Sequence, residues 1–179
     1  MSNVVLHDLT FEPFISAEEI SGAVEVLAKK IGRDYDGLNP VLLIVLNGAF
    51  IFAADLVRKL SMPLRMDFIR VSSYKGTGSI GSVQEHLLWN IPLRDQHVLI
   101  VEDIVDSGHT IEYLRKKIKN ERPASFEVVC LLMKPGAYQY KEEIRYAGKL
   151  IPNDFVVGYG LDYNGLGREL DCIYKLTEL

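Results

Sequence analysis

Covalent and metal cross-links have almost no raw material in this chain. Among 179 residues there are two cysteines, Cys130 and Cys172, far apart and in no CxxC or Cys/His ligand spacing. That usage suits a reducing compartment and marks both as core thiols. The four histidines, His7, His86, His97 and His109, share no helical or hairpin metal spacing, which leaves a structural zinc or iron site without support. The opening segment, MSNVVLHDLT, lacks the basic n-region and long apolar h-region of a secretory leader. The most apolar stretch, residues 41–56, is too short to span a bilayer and is broken by Asn47 and Asp55. The expectation is a cytoplasmic protein with no membrane partner.

Positive charge is also scarce. Twenty Lys+Arg face 24 Asp+Glu, a net charge of -4 with no basic run, which makes a poor electrostatic match to a nucleic-acid backbone and argues against nucleic acid as a partner. No repeat, low-complexity tract or Gly/Ser linker divides the chain. With 48% hydrophobic residues and a length that buries roughly 70% of the unfolded surface, residues 1–179 are expected to form a single domain.

Helix and strand signals alternate along the chain. Ser16 with Glu19 three residues on reads as a capping box, and Ile20, Val24, Leu27 and Ile31 recur at helical spacing, giving a first helix that Gly32 helps to end. The solid apolar run Val41 to Leu46 reads as a strand buried on both faces. Asn47-Gly48 then turns the chain into an apolar helix from Ala49 to Leu60, and Leu64 to Val71 reads as the next strand. Residues 72–82, SSYKGTGSIGS, carry three glycines and several hydroxyls before a strand-like segment to Trp89, the pattern of a long hairpin. Further buried strands are expected at Val98 to Val101, Phe126 to Met133 and Phe155 to Gly158, with a helix from Ile111 to Lys119. Buried strands alternating with helices imply right-handed crossovers and an α/β fold built on a doubly wound parallel sheet.

Ligands of such sheets bind beyond the carboxyl ends of the strands. The segment VLIVEDIVDSGHT, residues 98–110, puts two adjacent carboxylates, Glu102 and Asp103, after four apolar residues and then a loop of small and hydroxylated residues before a helix. Small residues let backbone N–H groups converge on an anion, and the helix N-terminus adds partial positive charge. In the simpler reading, Ser107 or Thr110 is only an N-cap and Gly108 a turn residue. Capping does not account for Glu102-Asp103, since paired buried acids repel unless sugar hydroxyls or a divalent cation take their lone pairs. A neutral phosphate cup beside paired acids suggests a phosphorylated sugar.

These residues also resemble a known family. VLIVEDIVDSGHT resembles the phosphoribosyl-pyrophosphate signature of type I phosphoribosyltransferases. VLNGAF at 45–50, SSYKG at 72–76, LLMK at 131–134 and FVVGYGLDYNGLGREL at 155–170 resemble the hypoxanthine or hypoxanthine-guanine branch, in the family's order over about three-quarters of the chain. The resemblance implies a five-stranded parallel core with a small hood from both chain ends, and purine salvage: transfer of the 5-phosphoribosyl group from 5-phosphoribosyl 1-diphosphate to hypoxanthine, and to guanine.

It also implies roles for individual residues. Glu102 and Asp103 hold the ribose hydroxyls directly or through Mg2+, and the loop of Asp106, Ser107, Gly108, His109 and Thr110 grips the 5-phosphate. Asp106 is the general base for the purine proton. Lys134 donates to the 6-oxo group, Phe155 stacks on the ring and the Val156 backbone reads its edge. Asp162 belongs to the purine site and also reaches magnesium, and Arg168 reaches the pyrophosphate. Ser73 and Tyr74 close over pyrophosphate, helped by the backbone of Asn47 and Gly48, where the family's loop carries a non-proline cis peptide. Asn47 departs from the lysine found in eukaryotic members and so removes a cation. For Lys134, Asp162 and Arg168 the rival reading is a solvated surface charge; for Phe155 and Val156 it is an ordinary core strand. The rival functions are a xanthine- or pyrimidine-preferring sibling, a nucleic-acid-binding sensor of phosphoribosyl pyrophosphate and a phosphoacceptor signalling domain. A homodimer or homotetramer is the expected assembly.

Overall fold

In a computed structural model, residues 2–71 and 89–177 are described. In chain order they form β1 (Val4–Leu6), β2 (Leu9–Ile15), α1 (Ala17–Asp34), β3 (Val41–Leu46), α2 (Phe50–Lys59), β4 (Arg65–Arg70), β5 (His97–Val105), α3 (His109–Asn120), β6 (Ser125–Met133), β7 (Tyr146–Leu150), β8 (Val156–Val157) and β9 (Ile173–Leu176). Among these residues the strands make a five-stranded sheet in the order β4-β3-β5-β6-β7 and a four-stranded sheet in the order β1-β2-β9-β8. All pairs of the first are parallel, and all pairs of the second antiparallel.

Each strand of the larger sheet alternates between two packing layers. Leu42, Ile44, Leu99 and Val101 face the layer filled by Ile20, Val24, Leu27 and Ile31 of α1 and Phe52 and Leu56 of α2. Val41, Leu43, Val98 and Ile100 face Ile111, Leu114 and Ile118 of α3. Burial on both faces explains the unbroken apolar runs of β3 and β5, each fully buried aliphatic contributing about 1.5–3 kcal/mol. β4 closes one edge of the sheet, where Met66 and Phe68 stay 46% and 44% exposed.

Local chemistry sets the element ends. The Glu19 N–H donates to Ser16 Oγ while the Ser16 N–H donates to Glu19 Oε2, a complete capping box that stabilises α1 by about 1 kcal/mol. Gly32 does not stop this helix, which runs on to Asp34 with Tyr35 at its C-cap; buried Ile31 and Tyr35 hold the last turn against the core and override the glycine's propensity.

The expected fifth strand is also corrected. β7 at residues 146–150 completes the parallel sheet, whereas Val156–Val157 pairs antiparallel with β9 in the hood. β7, sequence YAGKL, pairs only with β6 and lacks a solid apolar run. The hood's remaining strands come from residues 4–15 and 173–176, the two chain ends. Cys130 and Cys172 are both free and buried. No helix among the described residues is long and apolar enough to cross a membrane.

Candidate active site

β5 outlasts its apolar run. It pairs with β3 through Val101, then continues beside β6 to Val105, so Glu102 and Asp103 lie within the strand itself and not in a loop after it. Glu102 is buried, and its carboxyl is held well above the usual carboxylate range, first by loss of solvent and then by the negative charge of Asp103. Burial likewise lifts Asp103 to about 6; hydrogen bonding from the Ile104 N–H and the charge of Arg168 pull it down, while Asp162 pushes it up. Among the described residues no cationic side chain is in hydrogen-bond contact with these paired acids, and removing one negative charge relieves their repulsion.

The loop after β5 has the opposite character. Gly108 is the N-cap of α3 with φ +84 and makes no side-chain cap hydrogen bond. Among the described residues neither Ser107 nor Thr110 caps this helix, so its first N–H groups have no side-chain cap, an arrangement that suits an anion. Asp106 at the loop's entrance is met by Lys134 from the end of β6, Nζ to Oδ2 at 3.0 Å, while the Lys134 N–H donates to Val105 O at 2.9 Å. Lys134 is 7% exposed, so it does not snorkel. Its ammonium faces a carboxylate that is half exposed, leaving that carboxylate room to meet a ligand.

The hood and the β3–α2 turn bring the remaining residues to the same end of the sheet. A Cβ on Gly48 would overlap Asp103 Oδ2, and one on Gly160, at φ +101, would overlap Gly48 O. The turn, β5 and the segment after β8 therefore meet with no space for side chains. Arg168 spans this junction, donating from Nη1 to Gly160 O at 2.6 Å and pairing through Nη2 with Asp162 Oδ1 at 2.5 Å; Asp162 Oδ2 accepts the Gly165 N–H at 2.7 Å. Neither residue is a freely solvated charge. The Leu46–Asn47 peptide is cis.

Asn47 does not leave its turn without a cation. Arg70, opposite Leu46 in the β3–β4 register, donates from Nη2 to Asn47 Oδ1 at 3.1 Å. The positive charge has moved to the neighbouring strand.

Ile151 N donates to Met133 O at 2.8 Å, so the chain that leads to Phe155 leaves the sheet beside Lys134. Phe155 is 42% exposed, with its ring edge-to-face with Tyr163 at 5.8 Å and tilted against Phe11 at 5.9 Å. It is a supported aromatic with an open face and not a core residue, whereas Val156 is buried and paired with Lys175 in the hood.

Ser73 and Tyr74 lie outside the described residues. Sequence reasoning missed Arg70, and it missed Asp67, whose buried carboxylate accepts the N–H groups of Asn90 and Ile91. It also missed Tyr138 and Tyr140, which pack over Gly108. The alternation of GAYQY at 136–140 was the available signal for the tyrosines; Arg70 could be found only through strand register.

Among the described residues no group of three or more His, Cys, Asp or Glu side chains is arranged to hold a metal ion. The donor set still suits Mg2+, which binds through one or two carboxylates and takes its other oxygens from water and substrate phosphates. Glu102 and Asp103 are such a pair, desolvated and mutually repelling. Asp162 has both oxygens engaged, by Arg168 and by Gly165, and would have to exchange the arginine.

A parallel sheet whose strand ends carry paired acids, an uncapped anion loop and a close-packed glycine turn defines a phosphosugar-binding class of α/β protein. The model of the phosphoribosyl transferase domain matches residues 16–164. A hypoxanthine-guanine phosphoribosyltransferase from Streptococcus pneumoniae is 40% identical over 165 residues, 92% of either chain. The bifunctional protein TilS/HprT of Listeria innocua is 40% identical over 96% of this chain, which spans 26% of that protein's length. The structure of a hypoxanthine phosphoribosyl transferase from Trypanosoma cruzi superposes with a TM-score of 0.86 at 40% identity, covering 97% of this chain and 95% of that one. The chain belongs to the phosphoribosyl transferase domain family and, within it, to the hypoxanthine-guanine branch.

Proposed function

We propose that this protein transfers the 5-phosphoribosyl group of 5-phosphoribosyl 1-diphosphate to hypoxanthine, and to guanine, releasing diphosphate and forming the nucleoside monophosphate. The observation that carries this reading is the Asp106–Lys134 pair, 3.0 Å apart at the ends of β5 and β6 beside an uncapped anion loop. A 6-oxopurine offers both partners of that pair what they need. Its 6-oxo oxygen accepts from Lys134 Nζ, and its ring nitrogen gives up a proton to Asp106 as that nitrogen bonds to the anomeric carbon and diphosphate leaves. Adenine's 6-amino group is a donor and would face the Lys134 ammonium donor to donor, forfeiting that hydrogen bond and costing about 1–3 kcal/mol.

The other assignments follow the same geometry. Ser107, Gly108, His109 and Thr110 hold the 5-phosphate, Glu102 and Asp103 the ribose hydroxyls, and the exposed face of Phe155 stacks on the base with the Val156 backbone at its edge. The backbone at Asn47 and Gly48, with Arg168, receives diphosphate, as do Ser73 and Tyr74 by resemblance. Glu102 or Asp103, with Asp162 if it exchanged Arg168, would hold Mg2+, which when bound would supply positive charge against the diphosphate oxygens.

Residues 1–179 act as one domain in this reading, in the cytoplasm, consistent with two free buried cysteines. A homodimer or homotetramer is supported by the exposed apolar residues Met66 and Phe68 on the edge strand β4 and Phe50 on α2. The experiment is turnover on a panel of bases with 5-phosphoribosyl 1-diphosphate and Mg2+. Formation of IMP and GMP is expected; activity with adenine or uracil and none with hypoxanthine overturns the assignment.

A further inference from the structure

The segment that begins at Lys134 touches the anion loop at every step from residue 105 to residue 109. Lys134 N donates to Val105 O at 2.9 Å and Lys134 Nζ to Asp106 Oδ2 at 3.0 Å. Gln139 N donates to Ser107 O at 3.2 Å. The rings of Tyr138 and Tyr140 lie over Gly108 so closely that a Cβ there would come within 2.5 Å of Tyr138 Cε2 and 2.9 Å of Tyr140 Cδ2. Tyr140 Oη meets His109 Nδ1 at 2.7 Å, with the two rings edge-to-face at 5.8 Å.

The two tyrosines are themselves edge-to-face at 6.0 Å. Tyr138 is anchored by its hydroxyl to Glu142 O at 2.8 Å and packs against the layer containing Val105, Ile111 and Leu114. The loop thus has a fixed aromatic lid on its outer side, and the histidine in its first helical turn has one ring nitrogen committed to a phenol. Among the described residues the other nitrogen, Nε2, makes no hydrogen bond, and the hydrogen bond to Nδ1 sets the ring's orientation.

We propose that Tyr138 and Tyr140 are positioning residues for the 5-phosphate. Tyr140 orients His109 so that Nε2 faces the phosphate held at the N-terminus of α3, and the Tyr138 ring holds Gly108 in the left-handed conformation that opens the loop's N–H groups to that phosphate. The same segment carries Lys134, so the group that reads the base and the clasp that shapes the phosphate loop are one continuous piece of chain. The inference rests on the assignment of residues 106–110 as the 5-phosphate loop.

The test compares binding of IMP with binding of inosine, which lacks the phosphate, by calorimetry on the full chain. Tyr140→Phe keeps the ring and removes only the hydroxyl. It is expected to weaken IMP about 3- to 10-fold and leave inosine unchanged. His109→Ala should do the same, and the double variant should be no weaker than His109→Ala alone. Tyr138→Ala should also weaken IMP selectively, with Tyr138→Phe restoring it. Undiminished IMP binding in Tyr140→Phe, or an equal loss for IMP and inosine, overturns the clasp. Ser107→Ala with Thr110→Val separates the two readings. If this pair erodes the preference for IMP over inosine while Tyr140→Phe does not, only the clasp fails. If the pair leaves the preference intact, the loop assignment fails with it.

Discussion

The parallel sheet and the antiparallel hood meet at one end of the molecule and contribute different kinds of chemistry. From the parallel sheet come groups that answer charge: Glu102 and Asp103 on β5, the uncapped turn at the start of α3 and Lys134 at the end of β6. From the hood come shape and counter-charge: Phe155 with one open face, and Arg168 held between Gly160 O and Asp162. The sheet's groups sit at strand ends whose positions are fixed by six or more registered pairs. Those of the hood hang from a two-residue strand and a run of turns with left-handed backbone at Gly158, Tyr159 and Gly160. The sheet's groups are thus carried on registered strands, while those of the hood are carried on turns, where small changes of backbone cost least.

The sharpest way to break this division is at Asp106, the general base of the proposed reaction. Asp106→Asn keeps the hydrogen bond from Lys134 but cannot take a proton, so kcat should fall by about 10²-fold or more with the melting temperature nearly unchanged; steady-state turnover of hypoxanthine measures this. Next in size is the seam between the two regions. Gly160→Ala puts a Cβ into Gly48 O at φ +101, and should cost about 2–5 kcal/mol in denaturant unfolding. A loss confined to activity, with stability intact, would show that the hood can move away from the sheet without loosening it.

A third effect isolates the buried acids. Asp103 is raised from an ordinary 3.8 to about 6 in the folded chain. Its contribution to stability is therefore complete below pH 3.8 and lost as pH rises through 6, and Glu102, raised for the same reason, acts in the same direction. Melting of the unliganded protein should show Asp103→Asn gaining on the native chain as pH rises from 4 to 7, by on the order of 1–3 kcal/mol. Equal pH dependence in the two proteins would mean that the acids are solvated. The smallest effect belongs to the hood: Phe155→Ala removes a stacking face worth about 0.5–1.5 kcal/mol. KM for hypoxanthine should rise up to about 10-fold while KM for 5-phosphoribosyl 1-diphosphate stays constant.

Legibility in the sequence followed the same division. β3 and β5 could be read because burial on both faces leaves unbroken apolar runs, and α1 because Ser16 and Glu19 cap it. β7 escaped because it pairs with one neighbour only and carries a polar lysine and a glycine. Val156–Val157 read as a sheet strand because apolar content does not say which sheet a strand joins. Glu102 and Asp103 were found because paired acids directly after an apolar run are costly and so conspicuous, whereas the role of Asp106 came from the family resemblance. Arg70 and Tyr140 were not, because their partners, Asn47 and His109, are 23 and 31 residues away.

What the sequence determined by itself was periodicity, caps and the placing of charged and small residues at the ends of buried runs, since these are local consequences of side-chain chemistry. Only the tertiary structure decided which cation stands beside Asn47, that Lys134 turns inward to Asp106, that Asp162 is occupied by Arg168 and that two tyrosines pack over Gly108. Each depends on strand register and on the crossing of distant segments, where packing and electrostatics between non-neighbours set the outcome and no local pattern carries the information.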